Sequence, residues 1–305
     1  MHIRPVDLPL LRDELRDTMS VGGHGERAFT RGAAAIGVAD PIKMGKAKAL
    51  VESNTLTQAE LFYVTDGMCE LASVARESMP VWTLQPDDVP SEHGFIYFDD
   101  LPALPSGFPK ARIRAATWRP HLGSGGWPDG GLWINWYVER DSIKDYTYIP
   151  DGSPRLMLAF FTPAPFSVEQ VETVGSLGSP ISMTDPKSAE ARLLATLKAV
   201  WLLMAQPIAS VGEATYDRAA RRRIERQGQE PPAVRVITLR RQAAQGGSGE
   251  GADREWRHRW VVRGHWRQQW LPSRGVHRPT WIAPHMKGPE GAPLLGGEKV
   301  YALRR

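Results

Sequence analysis

Apolar and polar positions recur with a helical period at the start of this chain, with a period of two through its middle, and with a period of two again near the carboxyl end. Helices group residues three and four apart, whereas strands alternate faces. Residues 5 to 18 and 41 to 53 read as short helices, joined by small residues around Ser20 to Gly25. Thr57 and Glu60 have the spacing of a capping box ahead of Leu61, Val64, Met68, Leu71 and Ala75, which predicts a core helix over 57–78. After Pro80, residues 95–98, 112–118, 132–139 and 156–161 are short aromatic and β-branched runs separated by Pro and Gly, the pattern of an antiparallel meander. Both faces of the run from Trp133 to Val138 are bulky, so that strand is expected to be covered on both sides.

Asp185 and Pro186 make a good helix start, and the segment 186–205 is apolar nearly all round, which predicts a buried central helix. A second helix, over 212–227, carries Arg218, Arg221, Arg222, Arg223 and Arg226. Strands are expected at 234–240, 279–284 and 299–304, with a Gly-, Ala- and Ser-rich loop at 242–253. The fold class expected is α+β: a helical amino-terminal part (1–80), a central antiparallel sheet packed on the buried helix (81–210), and a basic helix followed by a small basic antiparallel sheet (211–305).

The stretch from Trp256 to Lys287 holds five of the eleven tryptophans and four of the eight histidines, and no acidic residue. Read as a strand, it turns Trp260, Trp266 and Trp270 to one face and Arg259, Arg263, His265 and Arg267 to the other. Gly264 in its middle suggests a bulge or a close backbone approach by a ligand.

Charge sharpens this picture. The net charge of +4 divides unevenly: residues 211–305 carry 19 Lys+Arg against 9 Asp+Glu, a net +10, and residues 1–210 carry 19 against 25, a net −6. A basic end on an acidic body suits a polyanion partner, and it also suits docking of the basic part on an acidic protein surface. Cys69 is the one cysteine, so no disulfide framework is built, and a reducing, cytoplasmic setting is expected. The amino-terminal residues interleave charge with apolar positions, unlike a secretion signal, and the longest apolar run is the seven residues from Ala199 to Ala205, so no membrane association is expected.

Phosphate-binding loops, dinucleotide fingerprints and nucleophile elbows are absent from the sequence. His258 and His265 lie an odd number of positions apart on an expected strand and lack accompanying cysteines, so no metal and no cofactor are expected. The paired acids Asp87-Asp88 and Asp99-Asp100 stand beside prolines and turns, where capping is their ordinary role. Alternate residues of a strand are about 6.5 to 7 Å apart, close to the phosphate repeat of an extended nucleic-acid strand. Arg259, Arg263, Arg267 and Lys287, with Arg218, Arg222 and Arg226, are therefore the candidate nucleic-acid contacts, for RNA or DNA. His265 between two arginines is the candidate catalytic residue if the chain cleaves RNA without a metal. The other readings are binding alone and a non-enzymatic module that captures a protein partner.

The segments VVRGHWRQQW, WIAPHMKGPEGAPLL and KVYALRR, with AVWLLMAQP upstream, resemble a family of uncharacterised proteins encoded by actinobacteria, their mobile elements and their phages. SEHGFIYFDD and GLWINWYVER extend the resemblance toward the middle. The resemblance supports an intracellular setting in a high-GC genome, implies no activity and assigns no catalytic residue; control or defence on a mobile element is the setting expected for nucleic-acid association by the basic carboxyl-terminal region.

Overall fold

The computed structural model describes residues 3–20, 22–80, 82–101, 111–122, 129–145, 149, 152–166, 172–174, 180–182, 188–240, 259–273 and 275–287. The chain forms two compact units, Met1–Arg240 and Arg241–Arg305. The expected loop at 242–253 and strand at 299–304 lie outside the described residues, as do Asp185, Pro186, Trp256 and His258.

The first unit runs α1 (Leu8–Thr18), α2 (His24–Ala35), α3 (Pro41–Gln58), β1 (Glu60–Val64), α4 (Asp66–Glu77), β2 (Gly94–Phe98), β3 (Ile113–His121), β4 (Gly131–Glu139), β5 (Leu156–Pro165), β6 (Glu172–Val174), β7 (Pro180–Ser182), α5 (Ala189–Met204), β8 (Ala209–Glu213), α6 (Arg218–Glu225) and β9 (Val234–Leu239). The fold is α+β. Its sheet has seven strands in the order β5-β4-β3-β2-β1-β9-β8. The four strands from β2 to β5 form the antiparallel meander that the alternation predicts, while β1 runs parallel to both β2 and β9. Strand β9, which the sequence assigns to a terminal sheet, belongs to this one.

The alternation of strand side chains sorts the core into two layers. Leu61, Tyr63, Phe95, Tyr97, Ala115 and Tyr137 face the helices α1 to α3, packing on Leu8, Leu11, Leu15, Phe29, Ala49 and Leu56. On the opposite face Trp118 meets Phe62 at 5.4 Å and Trp201 of α5 edge to face at 5.2 Å. Each such fully buried side chain contributes about 1.5–3 kcal/mol through removal from water. Helix α5 is the buried spine expected, with Leu193, Leu197, Val200, Trp201, Leu202 and Leu203 all enclosed. It starts at Ala189, where the Ser188 hydroxyl accepts the Ala191 amide at 3.1 Å.

The single helix expected over 57–78 is overturned as well. Residues 57–78 do not form a single helix: α3 ends at Gln58, β1 follows, and α4 begins at Asp66. Thr57 does not cap; its hydroxyl donates back to the Ser53 carbonyl at 2.9 Å inside α3. Glu60 instead pairs with Arg235 across the parallel strands at 2.7 Å. A parallel strand covered on both faces is a continuous apolar run, and Leu61 to Val64 is such a run, so its period cannot separate strand from helix. Between the two expected amino-terminal helices lies α2, whose close approach to α3 depends on Gly45: a Cβ there would come within 2.0 Å of the Thr30 hydroxyl.

The second unit contains β10 (Trp260–Val262), β11 (His265–Leu271), β12 (Val276–Ile282) and β13 (His285–Lys287). β11 and β12 form an antiparallel hairpin turning through Gly275, at φ 63, and β10 pairs with β13. This is the small basic antiparallel element expected at the carboxyl end.

Candidate functional site

The basic ribbon of the second unit is built from β11 outward. Its register sets Trp266 opposite Trp281, Arg267 opposite Thr280 and Gln269 opposite Arg278. Trp266 and Trp281 meet edge to face with ring centroids 5.2 Å apart, and Trp281 is buried. On the other side of the strand His265 and Arg267 are exposed, and Arg263, just ahead of it, is exposed too. The segment is broken rather than continuous. Strands β10 and β11 are separated at Arg263 and Gly264, where a Cβ on Gly264 would lie 2.5 Å from the Trp281 ring. The close approach at Gly264 is that of an indole of the same unit, and not of a ligand as expected.

The side chains on this ribbon have defined neighbours. His265 Nδ1 lies 3.0 Å from the Arg263 carbonyl oxygen. A carbonyl oxygen only accepts, so in the neutral ring Nδ1 carries the proton and Nε2 carries the lone pair. Arg267 donates to the Gln269 side-chain oxygen at 2.6 Å. Lys287 is exposed opposite Trp260, and Arg259 is half-buried ahead of β10. The indole face is not wholly inward: Trp270 is 46% exposed and its ring stands 4.9 Å from His277.

Helix α6 of the first unit is cationic and short. Asp217 caps it by accepting the Ala220 amide at 2.7 Å, and Ala220 and Ile224 hold its inner side. Arg223 is committed to an ion pair with Asp7 at 3.1 Å. Arg218, Arg221, Arg222 and Arg226 are exposed, and among the described residues no carboxylate pairs with them. The candidate contacts thus divide between the units, with Arg218, Arg222 and Arg226 in the first and Arg259, Arg263, His265, Arg267 and Lys287 in the second.

A polar cluster that sequence reasoning missed lies in the first unit, between α3 and the sheet. Glu52, 2% exposed, accepts hydrogen bonds from the Thr117 hydroxyl, the Asn135 amide and, at 2.5 Å, the Tyr137 hydroxyl. One turn earlier on α3, the Lys48 ammonium stands 3.9 Å above the Trp133 ring. Arg119, paired with Trp133 in the β3–β4 register, has its guanidinium 5.8 Å from the same ring, and the His121 ring is 6.2 Å from it. Phe161 stacks on Trp133 at 4.4 Å. Burial raises the Glu52 carboxyl above its ordinary range, against the hydrogen bonds it accepts. Burial, then Arg119, lowers the Lys48 ammonium to about 8. Burial, then Arg119 and Lys48, also lowers His121. The signals in the sequence were Lys48 and Glu52 one turn apart and Asn135 inside an apolar strand, but their convergence needs the α3 to β3 packing.

Cys69 is buried, with its thiol pushed up to about 12 by desolvation, the state of an inert core thiol. Asp88 accepts the Gln85 amide at 3.1 Å in a short turn, and Asp100 pairs with Arg114 at 3.3 Å. Among the described residues no group of three His, Cys, Asp or Glu side chains is arranged to hold a metal. No helix among them is long and apolar enough to cross a membrane.

No protein-family model and no curated protein matches the chain. Among solved structures it is similar to the crystal structure of AcrVA2, at 15% identity over 90% of this chain and 92% of that one, with a TM-score of 0.39.

Proposed function

We propose that the chain associates with nucleic acid through the cationic ribbon of its second unit. The observation that supports this reading is the exposure of Arg263, His265 and Arg267 beside an indole pair, Trp266 and Trp281, packed the other way. Guanidiniums bind phosphate oxygens in bidentate fashion and release condensed counterions on binding, which supplies affinity without sequence readout. Exposed Trp270 beside His277 offers a ring on which a base can stack, worth about 1–3 kcal/mol. Arg218, Arg222 and Arg226 on α6 are a second basic surface of the same chemistry. Resemblance of the carboxyl-terminal segments to actinobacterial and phage proteins suggests control or defence on a mobile element as the setting.

A second reading, metal-independent RNA cleavage, is favoured by one detail. The Arg263 carbonyl orients the His265 ring so that Nε2 is free to take a proton from a 2′-hydroxyl. Both readings are tested with labelled single-stranded RNA and DNA between about 50 and 200 mM salt. Binding predicts a steep fall in affinity with salt and a shallower slope in the Arg263→Ala, Arg267→Ala double variant. Cleavage predicts products in the presence of chelator that vanish in His265→Ala. A protein that ignores both nucleic acids at the lowest salt overturns the proposal, and a basic end that serves to capture a protein partner then remains.

A further inference from the structure

Among the described residues, Lys48 and Arg119 carry more hydrogen-bond donors than their neighbours satisfy. Among the described residues the Lys48 ammonium has no hydrogen-bond acceptor; it rests on the Trp133 ring, which meets one side of it only. Of the five N–H donors of Arg119, one reaches the Pro120 carbonyl at 3.2 Å, and Nε is buried without a partner. The hydrogen bonds that the neighbouring carboxylate, Glu52, accepts come from Thr117, Tyr137 and Asn135, and among the described residues none comes from Lys48 or Arg119. Buried or half-buried cations without acceptors cost free energy, and such groups ordinarily find a partner. An acceptor with negative charge would satisfy these donors. It is not an aromatic ring: Phe161 stacked at 4.4 Å and the ammonium at 3.9 Å cover both faces of the Trp133 indole.

We propose that Lys48, Arg119 and His121 form a binding site for a small oxyanion, a carboxylate or a phosphate, at the margin between α3 and the β3–β4 pair. All three side chains are half-buried, so an ion can reach them while the low-dielectric surroundings strengthen the attraction. The depressed Lys48 ammonium fits this arrangement, since an anion beside it restores the charged form. The site lies in the first unit and shares no residue with the basic ribbon of the second.

The test uses the full chain at constant ionic strength, titrated with inorganic phosphate, acetate or chloride while acetylation of individual lysines is followed by mass spectrometry. Phosphate or acetate is expected to slow acetylation of Lys48 at least about fivefold relative to chloride, as expected for an occupied site. Lys43 and Lys46, exposed on the same helix, should be unaffected. Whether phosphate or acetate gives the protection identifies the chemistry of the ligand. Calorimetric affinity for the protecting anion should fall at least about tenfold in Lys48→Met and in Arg119→Gln. The Arg263→Ala, Arg267→Ala protein should retain the protection, which separates this site from the nucleic-acid reading. Equal Lys48 acetylation in all three salts overturns the proposal, and because that measurement is made on the unaltered chain it holds even if Arg119→Gln fails to fold.

Discussion

Trp281 meets Trp266 edge to face across the β11–β12 hairpin, centroids 5.2 Å apart at 71°, and its indole also lies where a Cβ on Gly264 would have to go. The pair is the apolar backing of the ribbon that carries His265 and Arg267. Trp281→Ala is expected to destabilise the second unit by about 3–5 kcal/mol. Gly264→Ala should destabilise it as well, because the added methyl meets the ring at 2.5 Å. Hydrogen exchange of the β11 and β12 amides in the full chain checks both variants.

Arg263 and Arg267 are expected to act as two phosphate contacts. Replacing both with alanine should lower the slope of log affinity against log salt by about 2, while single replacement lowers it by about 1. Fluorescence anisotropy over a salt series measures this. Slopes unchanged by either replacement would mean that the ribbon does not carry the interaction.

Glu52 is expected to make stability depend on pH. Its carboxyl is raised above the ordinary 4.5 in the folded chain, so between that value and the folded one the native state holds more protons than the unfolded state. Stability from this group is therefore full below about pH 4.5 and is lost as pH rises through the folded value. Glu52→Gln should remove that slope in urea unfolding measured from pH 4 to 8. Glu52→Ala should cost about 1–3 kcal/mol for each of the Thr117, Asn135 and Tyr137 groups left without its acceptor.

Lys48 has the opposite sign. Its ammonium is lowered from 10.5 to about 8, so between these values the unfolded state binds more protons and stability rises with pH. The rise should be absent in Lys48→Met, which keeps the aliphatic stem over Trp133. Chemical denaturation at pH 7.5, 9 and 10.5 checks it.

Strand β1 is expected to exchange its amide hydrogens most slowly in the first unit. Leu61, Phe62, Tyr63 and Val64 are buried between two parallel neighbours, and the Tyr63 hydroxyl donates to the Ile3 carbonyl at 2.9 Å. Amide exchange faster than that of the edge strand β8 would contradict the sheet order.

The linear pattern alone establishes the elements whose period is unambiguous. The meander from Phe95 to Phe161, the apolar spine around Trp201 and the alternation of His265 and Arg267 against Trp266 all follow from local spacing, because a side chain's face is set by its own backbone. It misread Leu61 to Val64, since an apolar run buried on both sides has the same composition in a strand as in a helix. The three-dimensional packing sets β9 beside β1 in the large sheet rather than in a terminal one, a pairing between residues some 170 positions apart. It also decided the cluster around Glu52 and Trp133. Lys48, Arg119 and His121 are each an ordinary polar residue in their own segments, and they become unusual only when α3 lies across β3 and β4, removes water from them and leaves their charges to one another.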